Sequence, residues 1–196
     1  MRIISGTLKG RKLFAPTGMS LRPTSDRVKE SLFNILGDEV KGKIVLDLFA
    51  GTGNIGLEAL SRGAKRVVFV EKDEDAFRCL RRNLTLCGME NRSDILKNDV
   101  FDAIDRLGGK KERFDLLFMD PPYEQGLIQK TLRYVIQNKV YHDGSLLILE
   151  HNRRESLTDL PAAFKQVRQR KTGDTLISFL CPSSSPSLRN TAVETE

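Results

Sequence analysis

Apolar stretches alternate with amphipathic stretches from Lys43 onward. Five of the apolar stretches have the length and composition of buried strands, namely KIVLDLF, RVVFVE, SDILKND, FDLLFMD and SLLILE. Between them, apolar residues recur at helical spacing in NIGLEALSR, DEDAFRCLRRNLTL and QGLIQKTLRYVIQ. Near-continuous apolar strands separated by helices are typical of a parallel sheet that is covered on both faces. The pattern therefore predicts an α/β fold with a mostly parallel sheet.

The two ends of the chain depart from this alternation. After Pro161 the stretch AFKQVRQRKTGDTLISFLC predicts two strands about a T-G-D turn, which would end the sheet as an antiparallel pair. Near the start, IISGTLKGRKLF predicts two short strands around a turn, and PTSDRVKESLFNIL predicts a helix capped by Thr24 or Ser25. We therefore divide the chain into an N-terminal extension (1–38), a main domain (39–182) and a polar tail without a core-forming pattern (183–196), which we expect to be disordered.

Positive charge is concentrated in the first 29 residues. This segment carries seven Lys and Arg residues against a single acid, Asp26, so it holds a net charge of +6, equal to that of the whole chain. A solvated basic tail would need no internal pattern, whereas this segment predicts strands and a helix. Basic side chains on ordered elements favour nucleic acid as a partner.

Composition limits the class of protein. With 196 residues and 39% hydrophobic residues, the chain can form a proper core. No apolar run approaches the roughly 18 residues of a membrane helix, and the first ten residues are too polar for a signal peptide, so we expect a cytoplasmic protein. The three cysteines (Cys79, Cys87, Cys181) and two histidines (His142, His151) lack the spacing of a disulfide framework or a zinc site, so we expect no metal.

The first strand ends in a glycine-rich loop. Gly51, Gly53 and Gly56 match the dinucleotide-binding pattern G-x-G-x-x-G, and Glu71 follows twenty residues after Gly51. However, Asp47 comes four residues before the first glycine, where its carboxylate would repel a pyrophosphate. S-adenosylmethionine has a cationic amino acid end, no phosphate, and two ribose hydroxyls that Glu71 could bind. The loop therefore favours S-adenosylmethionine over a nicotinamide dinucleotide.

Two further strand ends carry acids, and ligands bind at the carboxyl ends of strands in such sheets. Asn98-Asp99 follows the third strand, where Asp99 could accept from an adenine amine or cap the next helix. The fourth strand ends in Asp120-Pro121-Pro122-Tyr123. Two adjacent prolines lack N–H groups and hold a rigid corner with an unpaired carbonyl.

This corner suits transfer of a methyl group to an exocyclic amine. The lone pair of such an amine is delocalised into the ring, so the site must bind its N–H groups with acceptors that favour a pyramidal nitrogen. The Asp120 carboxylate and the Pro121 carbonyl would be two such acceptors, and Tyr123 could stack on a base turned out of its helix. The alternative is that D-P-P-Y merely stops a strand. The acids at three other strand ends favour the catalytic interpretation over this alternative.

Together these motifs resemble a known family. The series DLFAGTG, Glu71, Asn98-Asp99 and DPPY is similar to the class I S-adenosylmethionine-dependent methyltransferases, which have a Rossmann-like fold with a seven-stranded sheet. The segments RIISGTLKGRKL, RPTSDRVKESLFNIL and GLEALSRGA more particularly resemble the bacterial 16S ribosomal RNA guanine-N2 methyltransferases of the RsmD type. The resemblance covers roughly residues 2 to 181. One departure is the loop sequence G-T-G-N-I-G, which keeps a hydroxyl at Thr52 and the glycine at position 56.

The resemblance implies roles for three sets of residues, with 16S rRNA or the small ribosomal subunit as the partner. Cofactor contacts are implied for Asp47, Ala50, Gly51, Gly53, Glu71, Lys72, Asp99 and Val100. Target-amine and base contacts are implied for Asp120, Pro121, Pro122 and Tyr123. RNA contacts are implied for Arg2, Lys9, Arg11, Lys12, Arg22 and Arg27.

Three alternatives stay open at this point. An adenine-N6 methyltransferase acting on DNA or RNA would share the D-P-P-Y chemistry and differ only in substrate. A non-catalytic RNA-binding protein would explain the basic segment but not the acids at the strand ends. A nicotinamide oxidoreductase would explain the glycines but needs neither Asp47 nor D-P-P-Y. We expect a monomer, because no exposed apolar patch is apparent.

Overall fold

The computed structural model describes residues 1–15, 26–122, 126–153, 155, 157 and 160–185. Its helices are α1 (Asp26–Leu36), α2 (Asn54–Ser61), α3 (Glu74–Cys87), α4 (Val100–Gly109) and α5 (Leu127–Asn138). Its strands are β1 (Ile44–Leu48), β2 (Arg66–Val70), β3 (Ser93–Leu96), β4 (Phe114–Met119), β5 (Tyr141–Asn152), β6 (Phe164–Thr172) and β7 (Thr175–Pro182). Two short 3₁₀ turns cover Gly37–Val40 and Glu90–Arg92.

The predicted α/β fold is confirmed. The seven strands have the order β3-β2-β1-β4-β5-β7-β6. The pairs β1–β2, β2–β3 and β4–β5 are parallel, whereas β7 pairs antiparallel with both β5 and β6. β5 is longer than the predicted SLLILE at both ends: Tyr141 pairs with Phe114 before a register shift between Phe114 and Leu116, and Asn152 pairs with Thr175 of β7. No described helix is both long and apolar enough to cross a membrane.

The chain divides into two compact units, residues 1–100 and 101–196. In the first unit, β1 and β2 are almost entirely buried, as expected of parallel strands covered on both faces. Every residue of α2 is also buried, including its charged and polar residues. A helix that is buried on all sides needs a second covering layer, and the N-terminal segment supplies it.

The N-terminal segment is less regular than the predicted pair of strands. Arg2 and Lys12 form a single antiparallel bridge, and Ile3 exchanges backbone hydrogen bonds with the far side of the turn. The backbone between them binds α2 instead: the amides of Ile4 and Ser5 donate to the Glu58 carboxylate at 2.7 and 3.0 Å. These amides cannot also serve a strand ladder, which explains why the strands are short.

The same segment approaches the end of α2 very closely. Gly6 has a φ of +83°, and a Cβ built there would lie 2.0 Å from the Ser61 carbonyl oxygen. The Thr7 amide donates to that carbonyl at 2.9 Å, and the Leu8 amide donates to the Ser61 hydroxyl at 3.0 Å. Only glycine fits such a contact, so close packing requires glycine at position 6.

Lys29 lies inside the protein. Its side chain is fully buried, and its Nζ donates to the Arg2 carbonyl and to Asn54 Oδ1, each at 2.6 Å, and lies 3.6 Å from Glu58 Oε2. Burial lowers the pKa of Lys29, and the nearby Glu58 carboxylate opposes that shift. Lys29 therefore contributes nothing to a phosphate-facing surface, although it was one of the seven cations counted there. The predicted helix caps Thr24 and Ser25 lie outside the described residues.

The second unit contains the antiparallel end of the sheet. Buried His151 on β5 is hydrogen-bonded through Nε2 to the Ser178 hydroxyl at 2.9 Å, and Gln169 donates to the same hydroxyl at 2.9 Å. Residues 183–185, which we expected to be disordered, are bonded: the Ser183 amide donates to the Ala163 carbonyl at 2.8 Å. The Ser183 bond continues the β6–β7 pairing by one residue, and the Ser185 amide donates to the Pro182 carbonyl at 2.9 Å. Disorder of the tail stays a prediction for residues 186–196, which lie outside the described residues.

Replacing Lys29 by methionine should destabilise the protein by about 3 kcal/mol. The buried Glu58 carboxylate loses a cationic partner, and the Arg2 carbonyl and the Asn54 amide oxygen lose their donor. Urea unfolding measures the effect. Lys97→Met is the matched control, since Lys97 pairs with Glu74 at the surface and should cost about 1 kcal/mol or less. Equal stabilities of the two variants would contradict the buried network.

His151 should make stability depend on pH. Burial lowers the pKa of His151, so below about 6.5 the unfolded chain binds a proton that the folded chain resists, and stability falls with the pH. His151→Gln should reduce the loss of unfolding free energy between pH 7 and pH 5. Between pH 7 and pH 8 the unfolding free energies of the variant and the wild type should show nearly the same pH dependence, because histidine is largely neutral there in the folded and the unfolded chain.

Candidate active site

The loop after β1 begins with a strained residue. Phe49 has a φ of +62°, a left-handed conformation that costs a bulky side chain about 1–2 kcal/mol. The next residue, Ala50, is buried and donates its amide to the Val70 carbonyl at the end of β2 at 2.9 Å. Such strain clusters at functional sites. Sequence reasoning did not single out Phe49, since nothing local in D-L-F-A-G requires a positive φ there.

Glu71 holds the first glycine of the loop. One of its carboxylate oxygens accepts from the Gly51 amide at 2.7 Å, and the other accepts from the Asp73 amide at 2.7 Å. A carboxylate offers about four lone-pair positions. Glu71 can therefore bind the loop and still accept hydrogen bonds from a pair of hydroxyl groups, as the predicted ribose contact requires.

Asp47 lies beneath the same loop. It is the fourth residue of β1, is only 4% exposed, and accepts from the Gly56 amide in the first turn of α2 at 2.9 Å. A carboxylate at a helix N-terminus is stabilised by the helix dipole. Its contact with a cofactor ammonium stays a prediction, but its charge occupies the helix end that would otherwise attract a phosphate.

The three loop glycines serve different needs. A Cβ at Gly56 would lie 2.2 Å from the Phe69 ring, and one at Gly53 would lie 2.4 Å from Leu80 Cδ1, so both positions require close packing. A Cβ at Gly51 would meet no atom within 4 Å. Gly51 therefore presents its backbone to open space beside Glu71, and this is the side of the loop on which a ligand can lie.

The third strand end carries an ion pair. Asp99 directly precedes α4, and its Oδ2 lies 3.6 Å from Lys72 Nζ. Asp99 is half-buried, Lys72 is exposed and Val100 is buried. The pairing joins two residues that were both predicted to contact the cofactor. Their direct contacts stay predictions.

The fourth strand end lies in the second unit. β4 ends at Met119, after which Asp120 is half-buried, Pro121 buried and Pro122 exposed. The contacts of Asp120 and of the Pro121 carbonyl with a target amine stay predictions. Tyr123, the predicted stacking residue, lies outside the described part of the chain.

The basic residues of the first unit lie mainly at the surface. Arg2, Lys9, Arg11, Lys12 and Arg27 are all exposed, and Arg22 lies outside the described residues. Arg2 is 3.9 Å from Asp26, a distance at which an exposed pair contributes little. Their contacts with RNA stay predictions.

Asn83 is a residue that sequence reasoning missed. Its fully buried amide donates to the Thr52 carbonyl in the loop at 3.0 Å and to the Phe14 carbonyl at 3.1 Å, and accepts from the Phe14 amide at 2.7 Å. The signal was a polar residue on the apolar stripe of α3, which also includes Leu80 and Leu84. Sequence alone does not tell what such a residue binds.

The comparisons with known proteins decide the family. A family model described as Conserved hypothetical protein 95 matches residues 1–181. The chain belongs to this family. Among the described residues of this member, no group of three or more His, Cys, Asp or Glu side chains could hold a metal ion.

Relatives and solved structures agree with this family. The chain is 35% identical over 173 residues to "Ribosomal RNA small subunit methyltransferase D" of Escherichia coli, covering 88% of this chain and 85% of that protein. It is 35% identical over 179 residues to "Putative rRNA methyltransferase YlbH" of Bacillus subtilis, covering 91% and 97%. The solved structure "Putative methyltransferase yhhF from Escherichia coli" superposes with a TM-score of 0.84 at 28% identity, covering 95% and 99%. The family resemblance inferred from the motifs is confirmed.

Gly56→Ala should destabilise this family member by about 1–3 kcal/mol, because the added methyl would overlap the buried Phe69 ring. Chemical denaturation measures the loss. Gly109→Ala is the matched control: Gly109 ends α4, and an added Cβ there meets nothing within 4 Å, so alanine should be neutral or slightly stabilising. A Gly56→Ala protein as stable as the control would contradict the close contact of α2 with β2.

Proposed function

We propose that this protein transfers a methyl group from S-adenosylmethionine to the exocyclic N2 amine of a guanine in small-subunit ribosomal RNA. The observation that carries the proposal is the family match over residues 1–181, which contains both the glycine loop and the Asp120-Pro121 corner. The relatives named ribosomal RNA small subunit methyltransferase D support the substrate class.

The donor set of the first unit suits S-adenosylmethionine. Two amides of the glycine loop region already bind carboxylates, Gly51 that of Glu71 and Gly56 that of Asp47. A pyrophosphate would have to displace these acids, whereas a ligand with a cationic ammonium and a sulfonium is attracted by them. Glu71 would hold the ribose hydroxyls, and Asp47 would favour the ammonium end. When bound, the cofactor supplies an electrophilic methyl group on sulfur.

The residues at the end of β4 suit an aromatic amine. The Asp120 carboxylate and the Pro121 carbonyl would accept hydrogen bonds from the N2–H groups and favour a pyramidal nitrogen with its lone pair available. Pro122 keeps the corner rigid, and Tyr123 would stack on the guanine. Transfer would form a nitrogen–carbon bond as the bond between the methyl carbon and sulfur breaks, with the bonding electrons leaving on sulfur, and Asp120 would accept the proton that the nitrogen loses. Positioning and charge placement supply most of the acceleration.

One labelling experiment tests the reaction and its substrate. The protein is incubated with radiolabelled S-adenosylmethionine and, separately, with unmodified small ribosomal subunits, naked 16S RNA and duplex DNA. The labelled nucleoside is then identified after digestion. Label in N2-methylguanosine is expected, and comparing subunits with naked RNA shows which form is recognised. Label in N6-methyladenine would contradict the guanine assignment but keep the amine chemistry.

Two variants should separate cofactor binding from amine chemistry. Asp120→Asn should lower kcat by about 100-fold or more while the Kd for S-adenosylmethionine stays unchanged, because the amine loses a charged acceptor. Glu71→Gln should raise that Kd by about tenfold or more, because a charged acceptor of the ribose hydroxyls is lost. Calorimetry and single-turnover labelling measure the two effects. Full turnover by Asp120→Asn would contradict the role of the corner.

A further inference from the structure

A shallow cleft on the first unit has no role in the site described above. It has a volume of about 570 Å³ and is lined by Phe14, Arg78, Arg81, Arg82, Thr85 and Leu86. All of these except Phe14 lie on α3, where spacings of three and four residues place them on one face. Leu86, at 37% exposure, is a large hydrophobic side chain left open to solvent.

The charge of this face is neutralised only in part. Arg78 pairs with Glu74 one turn earlier at 2.8 Å. Arg81 and Arg82 are exposed, and neither has a carboxylate within ion-pair distance among the described residues. The acids of α3 are confined to its first turn, so the rest of the helix presents only cations. A solvated helix surface more often alternates charges of both signs, whereas unpaired arginines on one face suit an anionic partner.

Arg82 also forms a stacking platform. Its guanidinium Cζ lies 3.3 Å from the centre of the Phe14 ring. The Phe14 backbone is fixed by Asn83, which binds both its amide and its carbonyl. A planar guanidinium that is held against an aromatic ring and exposed to solvent can stack on an unpaired base. An acidic peptide would need the charge of Arg82 but not this platform.

The cleft continues the basic N-terminal segment. Arg11 and Lys12 come three and two residues before Phe14 in the chain and are exposed. Arg11 also lies near the end of α3, since its guanidinium opposes the rise that burial causes in the pKa of the Cys87 thiol. Cations from two separate elements therefore adjoin one aromatic platform.

We propose that this cleft binds a single-stranded segment of the RNA substrate, with phosphates on Arg78 and Arg81 and one unpaired base stacked on Arg82. The proposal rests on the proposed function, because it takes RNA as the substrate. It adds a second binding surface to the predicted contacts of the N-terminal segment, and it predicts a preference for unpaired over duplex RNA.

Binding to labelled oligonucleotides tests the surface without requiring catalysis. The probes are a fluorescent single-stranded 12-nucleotide RNA of mixed sequence, the matching duplex, and a poly-glutamate peptide. The variant R81Q/R82Q should raise the Kd for the single strand at least fivefold and flatten its salt dependence. The control R168Q/R170Q removes two arginine charges from β6 and should change that Kd less than twofold. Equal losses in the two variants would overturn the proposal, because only overall charge would then matter.

Conservative variants distinguish stacking from charge. Arg82→Lys keeps the charge but loses the planar group, so it should weaken single-strand binding at least threefold with an unchanged salt dependence. Arg81→Lys should bind nearly as wild type. An equal loss of single-strand and duplex binding in Arg82→Lys would overturn the stacking role. A loss confined to the poly-glutamate probe would reassign the surface to an acidic peptide.

The labelling assay separates this proposal from the proposed function. R81Q/R82Q should raise the KM for 16S RNA at least fivefold while kcat and the Kd for S-adenosylmethionine stay unchanged. An unchanged KM, with wild-type protein forming N2-methylguanosine, would overturn the surface alone. Wild-type protein that labels no RNA under any condition would overturn the proposed function itself.

Discussion

The first unit depends on one buried carboxylate. Glu58 is fully buried in the middle of α2, accepts from the amides of Ile4 and Ser5 and from Arg62 Nε at 2.8 Å, and lies beside the buried Lys29. A buried charge is tolerated only when it is paired and hydrogen-bonded, and these three donors together with the Lys29 ammonium meet that requirement. The N-terminal segment and α1 are therefore fixed to α2 by electrostatics as well as by apolar contact. Residues 1–15 and α1 are consequently held in place by buried contacts with α2.

Carboxylates also hold the glycine loop, in this case by accepting from its backbone amides. Glu71 and Asp47 bind Gly51 and Gly56, so the loop is closed by the protein's own acids rather than by a ligand anion. In dinucleotide-binding proteins the corresponding helix end is left for a pyrophosphate. Two carboxylates bound to these amides disfavour a phosphate at the loop, which explains physically why one acid before the glycines changes the interpretation of G-x-G-x-x-G.

Sequence alone predicted most of the fold. The strands were predictable because their apolar runs are nearly continuous, and the end of β4 was marked by an acid and two prolines directly after Met119. The burial of Lys29 was also visible in principle, since it lies on the apolar stripe of α1 with Leu32 and Phe33. The pairing of Lys29 with Glu58 was not predictable, because the two residues lie far apart in the sequence. The positive φ of Phe49 was not predictable either, because it depends on packing against residues that are distant in the sequence.

Asn83 shows how these separate features are joined. One buried side chain binds the Thr52 carbonyl of the loop and both backbone groups of Phe14. The loop and Phe14 therefore share one hydrogen-bonding residue, and neither can shift without breaking buried hydrogen bonds, which is costly. The backbone that carries the Phe14 ring is therefore fixed, and the Arg82 guanidinium packs on a ring whose position the protein has already set. The positions of residues 1–15 and of the loop thus have a common physical cause in the buried polar residues Glu58 of α2 and Asn83 of α3.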